Sequence, residues 1–418
     1  MQQNKTGKIY FYLLMLLAFV VPSGFGHLAN GLLAPIFIFA IVNGNLKKYS
    51  YRLKDPRVWL PALIYLLTLA GFFISDNRGK ALSYLSAYLP YLAPALLIAG
   101  PSLTLAQRNN ILKAFILSLT ASLLACDLYG VIDIIRTNEK LILLDPGTRY
   151  FKLSSYGLTR FFGDWHPTFA GTFAVWAIAF IITARLYRPS ISLFKPVIEI
   201  SLLIFLLGNI ILLNSIAAIL ALCTLTIMWI SYYLIRRKVR PVFVTIFLLL
   251  LVSAIFTFFY ANPLKNEKIK TLKERGFKIT DKEEERNFLT IRMAKWVSHI
   301  EVFKKHPVLG VTPADISAER KAVYAEKGFD YLLSENLNAH NQYLEMLCRF
   351  GITGLVIFLL FLFVPLWYNY SPLYLSFVIA GCIVFLTESF LERQQGLLAF
   401  MVLYGLINMP LAEKHEQD

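Results

Sequence analysis

Long apolar runs separated by short polar breaks dominate this chain, and their lengths set the first expectation. A helix needs about 20 apolar residues to cross a bilayer core, and about twelve runs meet or approach that length. They cover 9–26, 27–43, 58–75, 80–100, 111–134, 166–184, 194–213, 214–235, 241–261, 345–368, 371–389 and 394–412. Within one of the longest, the polar pair Asn214-Ser215 predicts a tight hairpin. Two stretches have a different texture, about 135–165 and 262–338. In the second, Phe288, Ile291, Val297, Ile300 and Phe303 recur at helical spacing and predict a helix over 283–305. His306-Pro307-Val308-Leu309-Gly310 ends that helix, and 314–327 predicts another. A long loop with two helices is a folded cap rather than a tether. The expected fold is therefore all-α and polytopic. Residues 1–261 carry nine spans and the loop at about 135–165, 262–338 form a large helical loop, and 339–418 carry the last three spans.

Composition agrees with the pattern. The 418 residues are 57% hydrophobic and only 16% charged, with a mean hydropathy of +0.58. A soluble chain of this length is less apolar. The net charge of +15 would suit nucleic acid, but no stacking platform or finger motif accompanies it. Basic residues gather instead in short loops: 47–57, Arg108 with Lys113, Arg185 to Lys195, and 236–240. The bias of Lys and Arg toward the cytoplasm puts those loops and both termini inside, against anionic membrane lipids. Both long loops then face outside. Cys126, Cys223, Cys348 and Cys382 form no CxxC, which argues against a disulfide framework or a zinc site. Lys5 and Lys8 precede an apolar run with no A-x-A cleavage site, so a retained first helix is expected.

Candidate chemistry sits where the outer loops meet the spans. His340 and Asn341 mark the end of the large loop, and Gly351 and Gly354 follow on one helical face. An imidazole with an ordinary pKa near ~6.5 suits proton acceptance there. The same residues also fit a helix cap followed by close helix packing. Arg292, Trp296 and His299 share one face of the 283–305 helix, where a guanidinium can grip phosphate oxygens bidentately or simply anchor an interfacial helix. Arg160 stands just outside a span, with Gly163, His166 and Pro167 after it; His166 reads as structural. Glu388, Glu392, Arg393 and Gln394 form a polar cluster on the same outer side. There is no D-x-D, no P-loop and no H-E-x-x-H, so neither a metal nor a nucleotide cofactor is expected.

These residues resemble those of the O-antigen ligase family of bacterial membrane proteins. The ligase pattern, H-[N/S/Q] then nine residues then G-x-x-[G/T/Y], is met by His340-Asn341 and Gly351-Ile352-Thr353-Gly354. The family's upstream arginine, tryptophan and h-P-x-x-G segment correspond to Arg292, Trp296 and His306 to Gly310, and its R-x-x-G before a proline to Arg160, Gly163 and Pro167. One position departs: where many members carry Ser-Arg, this chain has Ser215-Ile216. Arg149, Lys152 and Arg393 are the remaining charges that could stand in for that arginine. The resemblance implies a glycosyltransferase C type fold in the inner membrane with a periplasmic active face. It implies transfer of a glycan from undecaprenyl diphosphate to a sugar hydroxyl of lipid A–core, without metal or ATP. His340 and Arg292 would be catalytic, and Arg160, Trp296, Asn341 and Arg393 substrate-binding. An O-antigen polymerase using the same donor, and a lipid or sugar transporter, are the competing readings.

Overall fold

The computed structural model describes residues 5–25, 28–42, 50–137, 155–163, 165–187, 192–238, 279–282, 288–368 and 370–412. The expected span 241–261, Arg149, Lys152 and much of both long loops lie outside the described residues.

Helices carry nearly all of the described chain. In order they are α1 Lys5–Val20, α2 Ala29–Val42, α3 Pro56–Ile74, α4 Arg78–Ala87, α5 Ala93–Ile98, α6 Leu105–Thr137, α7 Ser155–Thr159, α8 Pro167–Tyr187, α9 Pro196–Leu213, α10 Ile216–Arg236, α11 Phe288–Lys305, α12 Ile316–Glu326, α13 Asp330–Glu335, α14 Gln342–Tyr368, α15 Pro372–Thr387 and α16 Gln394–Asn408. Six of them, α3, α6, α8, α9, α10 and α14, are long and apolar enough to cross a membrane. The expected span at 80–100 is not a straight helix. Pro90 and Pro94 lack the N–H that would continue the ladder, and the pair 78–87 and 89–98 bends by 43°. The shorter apolar helices Gly7–Val20, Ala29–Val42 and Pro372–Thr387 complete the set. A multi-pass helical membrane protein is therefore observed, and a count of twelve spans is not reached among the described residues.

Local sequence explains several boundaries. Asp55 caps α3, accepting from the Arg57 N–H at 2.9 Å, with Pro56 at the first helical position. Asn214 ends α9 in the left-handed conformation and Ser215 caps α10, which makes the hairpin expected there. Helix α8 is apolar all round and buried all round, so it lies at the centre of the bundle.

The helices run between two ends. At one end the backbone of Leu103 pairs with Pro410 and Ala412, and Arg52 donates to the Gly100 carbonyl and Ser102. At the other, Gln395 meets the Ser23 carbonyl, and Ser75 at the top of α3 donates to Asp315 at 2.9 Å. Asp315 belongs to a cap of α11, α12 and α13 whose small core is Ala294, Tyr324 and Leu332. The third cap helix was not expected from the sequence.

Backbone hydrogen bonds fasten the cap to α14, beside the buried packing of Cys348 on Val302 and Val323. Val311 and Thr312 donate to the carbonyls of Cys348 and Arg349 at 2.9 and 3.0 Å, while Ile352 and Thr353 donate to Pro307 and Val308 at 2.9 and 3.3 Å. These bonds require α14 to open, and it does so at Gly351, which has φ 62° and ψ −163°. A Cβ there would lie 2.2 Å from the Val308 oxygen, and one on Gly310 would lie 2.4 Å from the Arg349 carbonyl carbon. This corrects the expectation that Gly351 and Gly354 ease packing of a continuous helix against a neighbour. Gly351 breaks the helix to receive a loop, and the nearest atom to a Cβ at Gly354 belongs to Phe350 of the preceding turn.

Candidate active site

The peptide that carries His340 is held from several sides. Trp296 Nε1 on α11 donates to the Ala339 carbonyl at 3.1 Å, and the Ala339 N–H donates to Glu345 at 2.8 Å. The Asn338 side chain accepts from the His340 N–H at 3.2 Å. His340 itself takes a left-handed φ of 46°, uncommon for a residue with a Cβ, so the bonds around it must over-determine that shape. Asn341 then caps α14 by accepting from Leu344 N–H at 3.1 Å. Its other atoms reach α15: the side chain donates to the Leu386 carbonyl and the backbone N–H to Ser389, both at 3.2 Å. Trp296 and Asn341 therefore position the histidine through the backbone.

The side chain of His340 is aimed by Glu388, at the end of α15. Nδ1 lies 3.0 Å from Glu388 Oε1. Burial would raise the Glu388 carboxyl, but the hydrogen bond and charge of His340, with His166 and Arg292 behind it, hold it below the usual carboxylate range. A carboxylate at Nδ1 fixes the proton on that nitrogen and leaves Nε2 as the acceptor.

A cleft of about 420 Å³ opens on this pair, with Asn338, His340, Glu388 and Arg393 among the residues of its wall. His166 lines it too. Its Nδ1 accepts from the Thr168 N–H at 3.2 Å and its Nε2 meets Tyr156. Burial pulls it down to about 4, so it stands neutral at pH 7. Arg292 does not line the cleft but feels Glu388, whose charge offsets part of the burial of the guanidinium. Arg160 turns away, to a salt bridge with Asp133 and the face of Tyr129, its guanidinium carbon 5.4 Å from the ring centroid. The structure thus brings His340, Arg393 and, at one remove, Arg292 together, while Arg160 sits apart on Asp133.

A buried polar network underlies the cleft, and sequence reasoning missed it. Arg349 is 5% exposed and binds Glu345 at 3.0 Å and Glu392 at 2.7 Å. It also donates to the Tyr88 hydroxyl at 3.1 Å, which in turn donates to Glu392 at 2.9 Å. Tyr88 reaches this point because the 78–98 segment bends there. Gln342 ties the base of the cluster to 390–392, accepting from the Leu391 N–H at 2.7 Å. One signal was present: Glu345 and Arg349 are four apart at the start of an apolar span, where charges are paired or functional.

A family model matches a segment that begins inside α9. Residues 201–359 match the model described as O-antigen ligase. This chain carries an O-antigen ligase family domain. The domain takes in the cap, Arg292, Trp296, His340 and both glycines of the cap junction. Arg160, Glu388 and Arg393 lie outside it. No curated protein matches the chain.

Proposed function

We propose that this O-antigen ligase family protein is a periplasm-facing glycosyltransferase of the inner membrane. It moves a glycan from undecaprenyl diphosphate to a sugar hydroxyl of lipid A–core. The observation that carries the reading is the His340–Glu388 pair, 3.0 Å apart on the wall of a cleft that also presents Arg393.

The chemistry follows from that pair. The acceptor hydroxyl gives its proton to His340 Nε2 as its oxygen attacks the anomeric carbon. The bond from that carbon to the diphosphate breaks, and the diphosphate leaves from the opposite face, with inversion. Glu388 keeps Nδ1–H in place and stabilises the imidazolium as it forms, a role for a preorganised charge in a partly dry site. Cations take up the negative charge that develops on the leaving group; Arg393 lines the cleft and Arg292 is in electrostatic contact with Glu388. Arg160 would reach the diphosphate only by leaving Asp133. Clustering of the polar groups at one end of the bundle supports an enzyme over a transporter, which holds its substrate near the bilayer midplane.

The test is transfer in vitro from carrier-linked donor by the purified protein. General-base catalysis contributes about 10²–10⁴ in rate, so His340→Ala should lose that factor while still binding carrier lipid. Full-rate transfer by this variant removes the base assignment. Offering lipid A–core and carrier-linked glycan as rival acceptors separates ligase from polymerase: a ligase elongates only the first.

A further inference from the structure

Arg320 of α12 is a buried cation without an anion. It is 5% exposed and lines the same cleft as His340. Its Nη2 donates to the Asn336 carbonyl at 3.0 Å and to the Asn336 side chain at 2.7 Å, both neutral. Its Nε has no hydrogen-bond partner, and among the described residues no carboxylate forms an ion pair with it. Glu345, the carboxylate that feels its charge, is already engaged by Arg349 at 3.0 Å and the Ala339 N–H at 2.8 Å. A guanidinium held out of water with only neutral partners is costly, and an arriving anion relieves that cost. Lys80 on α4 lines the same cleft, exposed, and likewise forms no ion pair among the described residues. Lys295 on α11 is 4% exposed and lies within electrostatic reach of both Arg292 and Arg320. Glu392 pairs with Arg349 and Glu388 with His340, so among the described residues no carboxylate of this cleft forms an ion pair with Arg320 or Lys80.

We propose that Arg320 and Lys80 form a phosphate-binding subsite of the cleft, built between the cap and the bent 78–98 segment and distinct from the His340–Glu388 pair. A guanidinium fixed by two bonds to Asn336, with Nε left over, presents a directed donor to a phosphate oxygen. The lysine supplies a mobile charge that closes on the ligand from the other side. The ligand is a phosphate group of a substrate, either the diphosphate of the carrier or a phosphate borne by the acceptor. Only that choice of source rests on the transfer reading above.

Inorganic pyrophosphate is the probe, titrated calorimetrically into the full-length protein in detergent. The wild type should bind it. Arg320→Gln should weaken binding about tenfold or more, the loss expected of a buried charged hydrogen bond. Lys80→Gln should weaken it by roughly two- to fivefold, as an exposed charge. His340→Ala should bind as the wild type does, so a failed transfer mechanism and a failed subsite are told apart. Steady-state kinetics of Lys80→Gln then names the source: a raised KM for donor assigns the carrier diphosphate, and a raised KM for acceptor assigns a phosphate on the acceptor. Because Arg320 also ties Asn336 in place, the exposed Lys80 variant decides the matter if Arg320→Gln does not fold. No pyrophosphate binding by the wild type, or unchanged binding in Lys80→Gln and every folded Arg320 variant, overturns the proposal.

Discussion

Replacing Gly351 with alanine tests whether the cap junction governs the site. Two effects add. The backbone at φ 62° and ψ −163° lies in a region open essentially to glycine alone, so an alanine there is strained by about 1–3 kcal/mol. The new Cβ would also stand 2.2 Å from the Val308 oxygen, so the 306–312 loop must withdraw. That breaks the bonds from Ile352 to Pro307 and from Thr353 to Val308, each worth about 0.5–1.5 kcal/mol. The total is roughly 2–6 kcal/mol, concentrated on one junction rather than spread through the bundle. Cap release should therefore precede global unfolding. Hydrogen exchange is the assay, read at the Val311 and Thr312 amides, which donate to Cys348 and Arg349 in the intact junction. Exchange there should accelerate by at least ~30-fold, the low end of the energy range, and transfer should fall because Trp296 no longer pins the Ala339 carbonyl beside His340. Gly208→Ala is the control: it sits inside α9 with nothing within 4 Å of an added Cβ, and alanine favours helix. Slow exchange at 311 and 312 together with full transfer in Gly351→Ala would refute the reasoning.

Glu388→Gln keeps an acceptor for His340 Nδ1–H but removes the charge that stabilises the imidazolium. The value of kcat should fall roughly 10- to 1000-fold, with donor KM little moved; a wild-type kcat would leave the pair without catalytic meaning. Lys295 makes a pH prediction. Burial, then Arg292, pull its amine down to about 8, with Glu388 opposing and Arg320 adding to the fall, against an ordinary value of 10.5. The unfolded chain keeps this proton between those values and the folded chain does not, so the lysine's contribution to stability rises with pH across that window. Anion binding goes the other way, so pyrophosphate affinity should drop between pH 7 and 9 and the drop should vanish in Lys295→Arg. An equal drop in that variant would locate the titration elsewhere.

The sequence by itself determined what local chemistry can determine. Run length and hydropathy were enough for a multi-pass helical protein, because a bilayer selects on length and apolarity alone. Asn214-Ser215 announced its hairpin through turn and cap chemistry within a few residues. The motif around His340 pointed to the end of the large loop, where the cleft lies. Pairing across distant segments was another matter. Glu388 stood in a polar cluster with Glu392, Arg393 and Gln394, and nothing local says which of them meets a histidine 48 positions earlier; the α14–α15 packing decided it. Arg160 and Arg292 looked equivalent as guanidiniums outside a span, and only the fold gave one of them Asp133. The bend that delivers Tyr88, the loop that breaks α14 at Gly351, and the unpaired charge of Arg320 are likewise tertiary facts. Each depends on which backbone or side chain arrives from elsewhere to satisfy a group that the local sequence leaves open.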